Sequence, residues 1–87
     1  MDIVLHPKAL RDRDFWKKSG NKQVIKKIDE LVDDIISHPE IGIGKPERLK
    51  HEMTGLWSRH INDEHRIIYE ISDEKLHIVS LKGHYEK

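Results

Sequence analysis

Apolar positions recur along this chain with two different periods, and the change of period divides it near the middle. Ile3, Val4 and Leu5 form a short apolar run suited to a buried strand. Pro7 follows at a point where a first helical turn tolerates it, because its missing N–H would be unpaired there anyway. A helix over 7–19 is expected to bury Ala9, Leu10 and either Phe15 or Trp16, and Gly20 ends it. Asn21 suits the N-cap of a second helix, in which Val24, Ile25, Ile28, Leu31, Val32, Ile35 and Ile36 repeat on one face. Pro39 lies just past its end, and the short turn at 19–20 implies antiparallel helices.

From Gly42 the texture changes. Gly42, Gly44 and Pro46 mark an irregular loop. Period-two segments then cover 56–61, 65–71 and 76–81. Asn62-Asp63-Glu64 and Ser72-Asp73-Glu74-Lys75 supply the turns of an antiparallel meander. A weaker strand is expected over 48–53. The order is β-α-α-β-β-β-β: an α+β fold with two N-terminal helices packed on an antiparallel sheet of four to five strands. A three-residue turn at 62–64 sets Ile61 against His65 and His60 against Arg66. Trp57, Ile61, Ile67, Tyr69 and Ile71 then face the helices, while Ser58, His60, Arg66 and Glu70 point the other way. Two potential cations directly opposed repel each other unless an anion lies between them.

Composition narrows the classes. At 87 residues the chain reads as one domain, 1–87, and without cysteine it has neither disulfides nor a Cys-based zinc site. The first apolar run is too short for a signal peptide and no segment reaches transmembrane length, so a cytoplasmic protein without a membrane partner is expected. Lys+Arg and Asp+Glu balance at 16 each, whereas a free-standing nucleic-acid binder is usually basic. The distribution is less even than the sum. Lys17, Lys18, Lys22, Lys26 and Lys27 cluster around the helix junction, either as a phosphate-facing patch or as a solvated helix surface.

The second half carries candidate chemistry for cutting RNA. RNA holds its own nucleophile, the 2′-hydroxyl, so cleavage needs a base, an acid for the departing 5′-oxygen and cations for the charged intermediate. Glu47 fits the base and, equally, an ordinary loop glutamate. His84 fits the acid or an inert tail residue. Arg66 fits a bidentate phosphate clamp or a surface ion pair with Glu64 or Glu70. Lys50 and His60 would add to the clamp, and Tyr85 could stack on a base or close the core edge. Seven histidines raise the question of metal, but no H-E-x-x-H or comparable spacing occurs, and no metal or cofactor is expected. The GIGK at 42–45 lacks the context of a phosphate loop.

The strings GKPERLK, GLWSR, EHRIIY and the closing HY resemble the YoeB/Txe branch of the RelE-type toxins of bacterial toxin–antitoxin pairs, over essentially the whole chain. The resemblance implies a microbial-RNase-like fold and a ribosome-dependent, metal-independent mRNA interferase. It matches Glu47 to the general base, Arg66 to the transition-state arginine, His84 to the general acid and Tyr85 to a substrate-placing residue. Lys50 matches a basic residue near the phosphate, with Arg59 and His60 beside it as substrate-binding residues. It also implies a homodimer, a cognate antitoxin, and the ribosome and mRNA as partners, with Lys17, Lys18, Lys22 and Lys26 as candidate ribosome contacts. A substrate presented by the ribosome removes the need for a strong general field. One position departs from the pattern: His60 stands where a second arginine after Arg59 is expected. Histidine is charged only part of the time near neutrality. The alternative is an inactive RNA- or protein-binding module on the same fold.

Overall fold

Local capping sets the two helices. The computed structural model describes residues 1–83. Pro7 occupies the first turn of α1 (Pro7–Ser19), and the N–H of Gly20 bonds to Lys17 O to close it. Asn21 accepts the N–H of Val24 through its side chain at 3.1 Å and so opens α2 (Lys22–Ser37). Ala9, Asp12 and Trp16 share the buried stripe of α1. Leu10 is 40% exposed and Phe15 47%, which corrects the expectation for Leu10: it sits one residue, about 100°, round the helix from Ala9.

The strands are β1 (Asp2–Leu5), β2 (Glu47–Arg48), β3 (Trp57–His60), β4 (Arg66–Ser72) and β5 (Lys75–Ser80), in the spatial order β1-β5-β4-β3-β2. β1 runs parallel to β5 while the other pairs are antiparallel, so the sheet is mixed, not purely antiparallel as expected. β1 is also an edge strand with Ile3 46% exposed, not a buried one. The expected strand over 48–53 stops at Arg48. His51 has φ 59, which no strand can contain, and His51–Met53 turns as a 3₁₀ helix.

The β3–β4 hairpin has the expected register, with His60 paired to Arg66 and Ile61 N–H bonded to His65 O at 2.9 Å. Asn62 Oδ1 closes the turn by accepting the N–H groups of Glu64 and His65. Ile61, Ile67 and Tyr69 join Leu31 and Ile35 of α2 in the main core, whereas Ile71, near the β4–β5 turn, is 37% exposed. Ile68 is buried too but stands outside that cluster, because alternation points it to the opposite face.

One residue breaks the polar-out alternation. Arg59 lies on the helix-covered face with its side chain fully buried. Its Nε donates to Tyr69 Oη (3.1 Å), and Nη1 donates to Asp34 Oδ2 (2.5 Å) and Ile43 O (3.2 Å). Nη2 donates to Ile41 O (3.0 Å) and to His38 O. Tyr69 Oη–H donates to Pro39 O at 2.8 Å, and burial pushes that hydroxyl above its ordinary range, so it stays a donor. Five bonds match the five N–H donors of a guanidinium. The irregular segment 38–43 therefore hangs from one buried cation. Close packing seals it: a Cβ on Gly42 would collide with the Asp34 carboxylate, and one on Gly44 would come within 2.7 Å of Leu31.

Removing one partner of a buried charge network leaves the others unpaired, so Arg59→Ala is expected to cost about 3–5 kcal/mol in chemical denaturation. Hydrogen bonding from Arg59 holds the Asp34 carboxyl below the ordinary range, outweighing the desolvation that raises it. A depressed carboxylate contributes stability above its unfolded value of about 3.9, lost as pH falls through the lower folded value. Asp34→Asn should therefore flatten the acid limb of the stability curve below about pH 4. An unchanged limb would contradict the assignment.

Candidate active site

The sheet face away from the helices gathers the candidate chemistry. Pairing within β3 and β4 places Ser58, His60 and Arg66 on that face, and β2 adds Glu47 opposite Ser58. Glu47 was expected in a loop. It opens a two-residue strand instead, so register and not loop geometry fixes its direction. Arg66 Nη1 lies 3.6 Å from Glu47 Oε2, with side-chain exposures of 24% and 55%. The ion pair of Arg66 thus runs to Glu47, not to Glu64 or Glu70. His60 is half-buried directly across the hairpin from Arg66, and its N–H bonds to Gly44 O at 2.6 Å. The same strand that pins the loop through Arg59 therefore also presents His60.

A carboxylate, a guanidinium and an imidazole on one solvent-facing patch supply a proton acceptor and two anion-binding groups. The Glu47 carboxylate beside Arg66 supplies an anion next to one member of this pair of potential cations.

Arg59 does not join this patch. It is neighbour in sequence to both Ser58 and His60, but strand alternation turns it into the core and all its donors are used. Its expected substrate contact is therefore corrected to a structural one. Lys50 is exposed at the N-cap of the 3₁₀ turn. Lys17 and Lys18 lie in the last turn of α1, and Lys22 and Lys26 begin α2, all exposed. They belong to the helix layer, across the sheet from Glu47 and Arg66.

His84 and Tyr85 lie outside the described residues. The chain leading to them is held at several points. Asp12, 7% exposed, accepts Leu81 N–H at 2.9 Å, and Trp16 Nε1 donates to Leu81 O at 2.8 Å. Lys8 Nζ bridges Asp12 (2.7 Å) and Lys82 O (2.9 Å). Gly83 N–H donates to His65 Nδ1 at 2.9 Å, and Arg66 N–H donates to Gly83 O at 2.8 Å. Sequence reasoning passed over Asp12 and His65. Asp12 could have been found from its place three residues after Ala9 and four before Trp16 on the buried stripe.

Among the described residues, no group of three or more His, Cys, Asp or Glu could hold a metal ion, and no helix is long and apolar enough to cross a membrane.

Comparison with known proteins fits this fold. A family model for the YoeB-like toxin of bacterial type II toxin-antitoxin systems matches residues 5–85. The Escherichia coli K12 toxin YoeB is 39% identical over 85 residues, which covers 98% of this chain and all of that protein. Among solved structures, a YoeB/ParE toxin from Agrobacterium tumefaciens superposes with TM-score 0.94 at 34% identity, covering 98% of this chain and 100% of the other. A heterotetrameric YoeB–YefM toxin–antitoxin complex and a YoeB dimer, both from Staphylococcus aureus, superpose at TM-scores 0.88 and 0.89. Each is 41% identical and covers 98% of both chains.

Proposed function

The chain belongs to the YoeB-like toxins of bacterial type II toxin–antitoxin systems, and from that premise we propose that it is a ribosome-dependent mRNA interferase. The observation that carries this reading is the 3.6 Å approach of Glu47 to Arg66, with His60 in register across the hairpin.

In this reaction the Glu47 carboxylate takes the proton of the 2′-hydroxyl. The 2′-oxygen bonds to phosphorus and the P–O5′ bond breaks. A 2′,3′-cyclic phosphate is left on one fragment and a 5′-hydroxyl on the other. Arg66 moves from its carboxylate partner to the scissile phosphate, where its planar fork binds two oxygens as negative charge builds. His60 adds a second donor to the same phosphate, and Lys50 lends positive charge nearby. His84 delivers the proton to the departing 5′-oxygen, and Tyr85 places the substrate. The anchoring of Gly83 to His65 and Arg66 supports this role for the tail, since His84 is the next residue in the sequence.

The exposed lysines at 17, 18, 22 and 26 serve as contacts to ribosomal RNA, which fits a chain of zero net charge that receives its message from the ribosome. Binding to ribosomes puts the site of action in the cytoplasm. By analogy with the S. aureus assemblies, a second copy of the chain and a cognate antitoxin are its protein partners.

Mapping mRNA 5′ ends on purified ribosomes tests the activity: wild type should generate new ends, and Glu47→Ala and His84→Ala should lower their yield by about 10²–10⁴-fold. Because the Glu47–Arg66 pair is solvent-facing, Glu47→Ala should change stability by no more than about 1 kcal/mol. Absence of ribosome-dependent ends in wild type would leave a binding module as the better account.

His60→Arg should maintain or raise cleavage at alkaline pH, because a guanidinium keeps its charge there. A clear loss of rate would show that His60 does more than supply charge. Neutralising Lys17, Lys18, Lys22 and Lys26 together should weaken cosedimentation with ribosomes at unchanged melting temperature. Unaltered cosedimentation would remove the patch from the account.

A further inference from the structure

We infer that His65 is a positioning residue for the C-terminal tail, holding Gly83, the residue before His84 in the sequence, beside Arg66. This rests on the reading of His84 as the general acid. A backbone N–H can only donate, so His65 Nδ1, 2.9 Å from Gly83 N, accepts, and the neutral ring carries its proton on Nε2. The next residue closes the grip in the opposite sense, Arg66 N–H donating to Gly83 O at 2.8 Å. Gly83 is thus tied through both of its backbone polar groups to the two residues that follow the hairpin turn. One of those two carries the guanidinium of the site.

The imidazole is itself held in place. Trp16 packs edge-on against it, with ring centroids 4.9 Å apart at 81°, while Trp16 Nε1 holds Leu81 O. Helix α1 therefore grips residues 81 and 82 through Asp12, Trp16 and Lys8, and the hairpin grips residue 83 through His65. The His65 ring is where the two grips meet. Gly83, held at both its N–H and its C=O, is the last described point of the tail and is therefore fixed directly beside Arg66. Proton transfer to a leaving oxygen is sensitive to displacements of about 1 Å, which makes such an anchor consequential for rate and indifferent for binding.

The test uses the full chain as His65→Ala and His65→Asn. Asparagine places Oδ1 where the ring presents Nδ1 and so keeps the acceptor. In His65→Ala, amide hydrogen exchange at Gly83 should accelerate by about tenfold, the equivalent of one lost hydrogen bond, with Ile67 and Tyr69 unchanged. On programmed ribosomes, the maximal single-turnover rate of His65→Ala should fall by about 10–100-fold at unchanged half-saturating concentration, and His65→Asn should recover most of it. Three results would each overturn the assignment: unaltered exchange at Gly83, faster exchange without loss of rate, or a folded His65→Asn as slow as His65→Ala. A wild-type protein that cuts nothing would defeat the interferase reading instead. The exchange result would still decide whether His65 holds Gly83.

Discussion

The buried guanidinium of Arg59 is the interaction on which the remainder of this small fold depends. Taking a cation out of water costs several kcal/mol even after relaxation, roughly, and is tolerated only where the partners are complete. Here they are complete because the chain between α2 and β2 forms no regular element. The carbonyls of His38, Ile41 and Ile43 have no helix or sheet to bond, and a planar fork collects them together with Asp34 and Tyr69. A hydrophobic side chain at position 59 would fill the space and leave those carbonyls unpaired. Lysine, with one nitrogen, could not reach all of them.

That constraint is felt on the other side of the sheet. Residue 59 points down into the core, so Ser58 and His60 must point up, and pairing then sets Glu47 beside Ser58 and Arg66 beside His60. The loop tied by Arg59 runs directly into Glu47, and the hairpin that follows His60 delivers both Arg66 and the anchor for Gly83. A second set of bonds, from Asp12, Trp16 and Lys8, holds residues 81 and 82 against α1. The toxin fold thus brings Glu47, His60 and Arg66 onto one face from a two-residue strand and a hairpin.

What could be read from the sequence was what short-range chemistry determines. The ends of both helices followed from Pro7, Gly20 and Asn21, and the hairpin register followed from a three-residue turn flanked by alternating residues. The family followed from linked strings over the whole chain. Long-range pairings were not legible. The parallel contact of β1 joins residues more than 70 positions apart, so nothing local announces it. The left-handed turn at His51 interrupts a segment whose composition suits a strand. Arg59 was misplaced for a related reason: it neighbours His60 in a basic motif, and only Asp34, 25 residues upstream, and the carbonyls of the loop reveal that it faces inward. Asp12 and His65 were passed over because each is polar, and their partners lie in the last described residues of the chain.

Two arginines seven residues apart in one hairpin therefore have opposite surroundings, one buried and holding the loop, the other on the open face beside Glu47. Hydrogen exchange of the arginine side chains, followed by nuclear magnetic resonance in the free protein, separates them directly. The account predicts slowly exchanging guanidinium protons for Arg59, with all five donors engaged away from solvent, and rapid exchange for Arg66. Guanidinium protons of Arg59 that exchange as fast as those of Arg66 would contradict it.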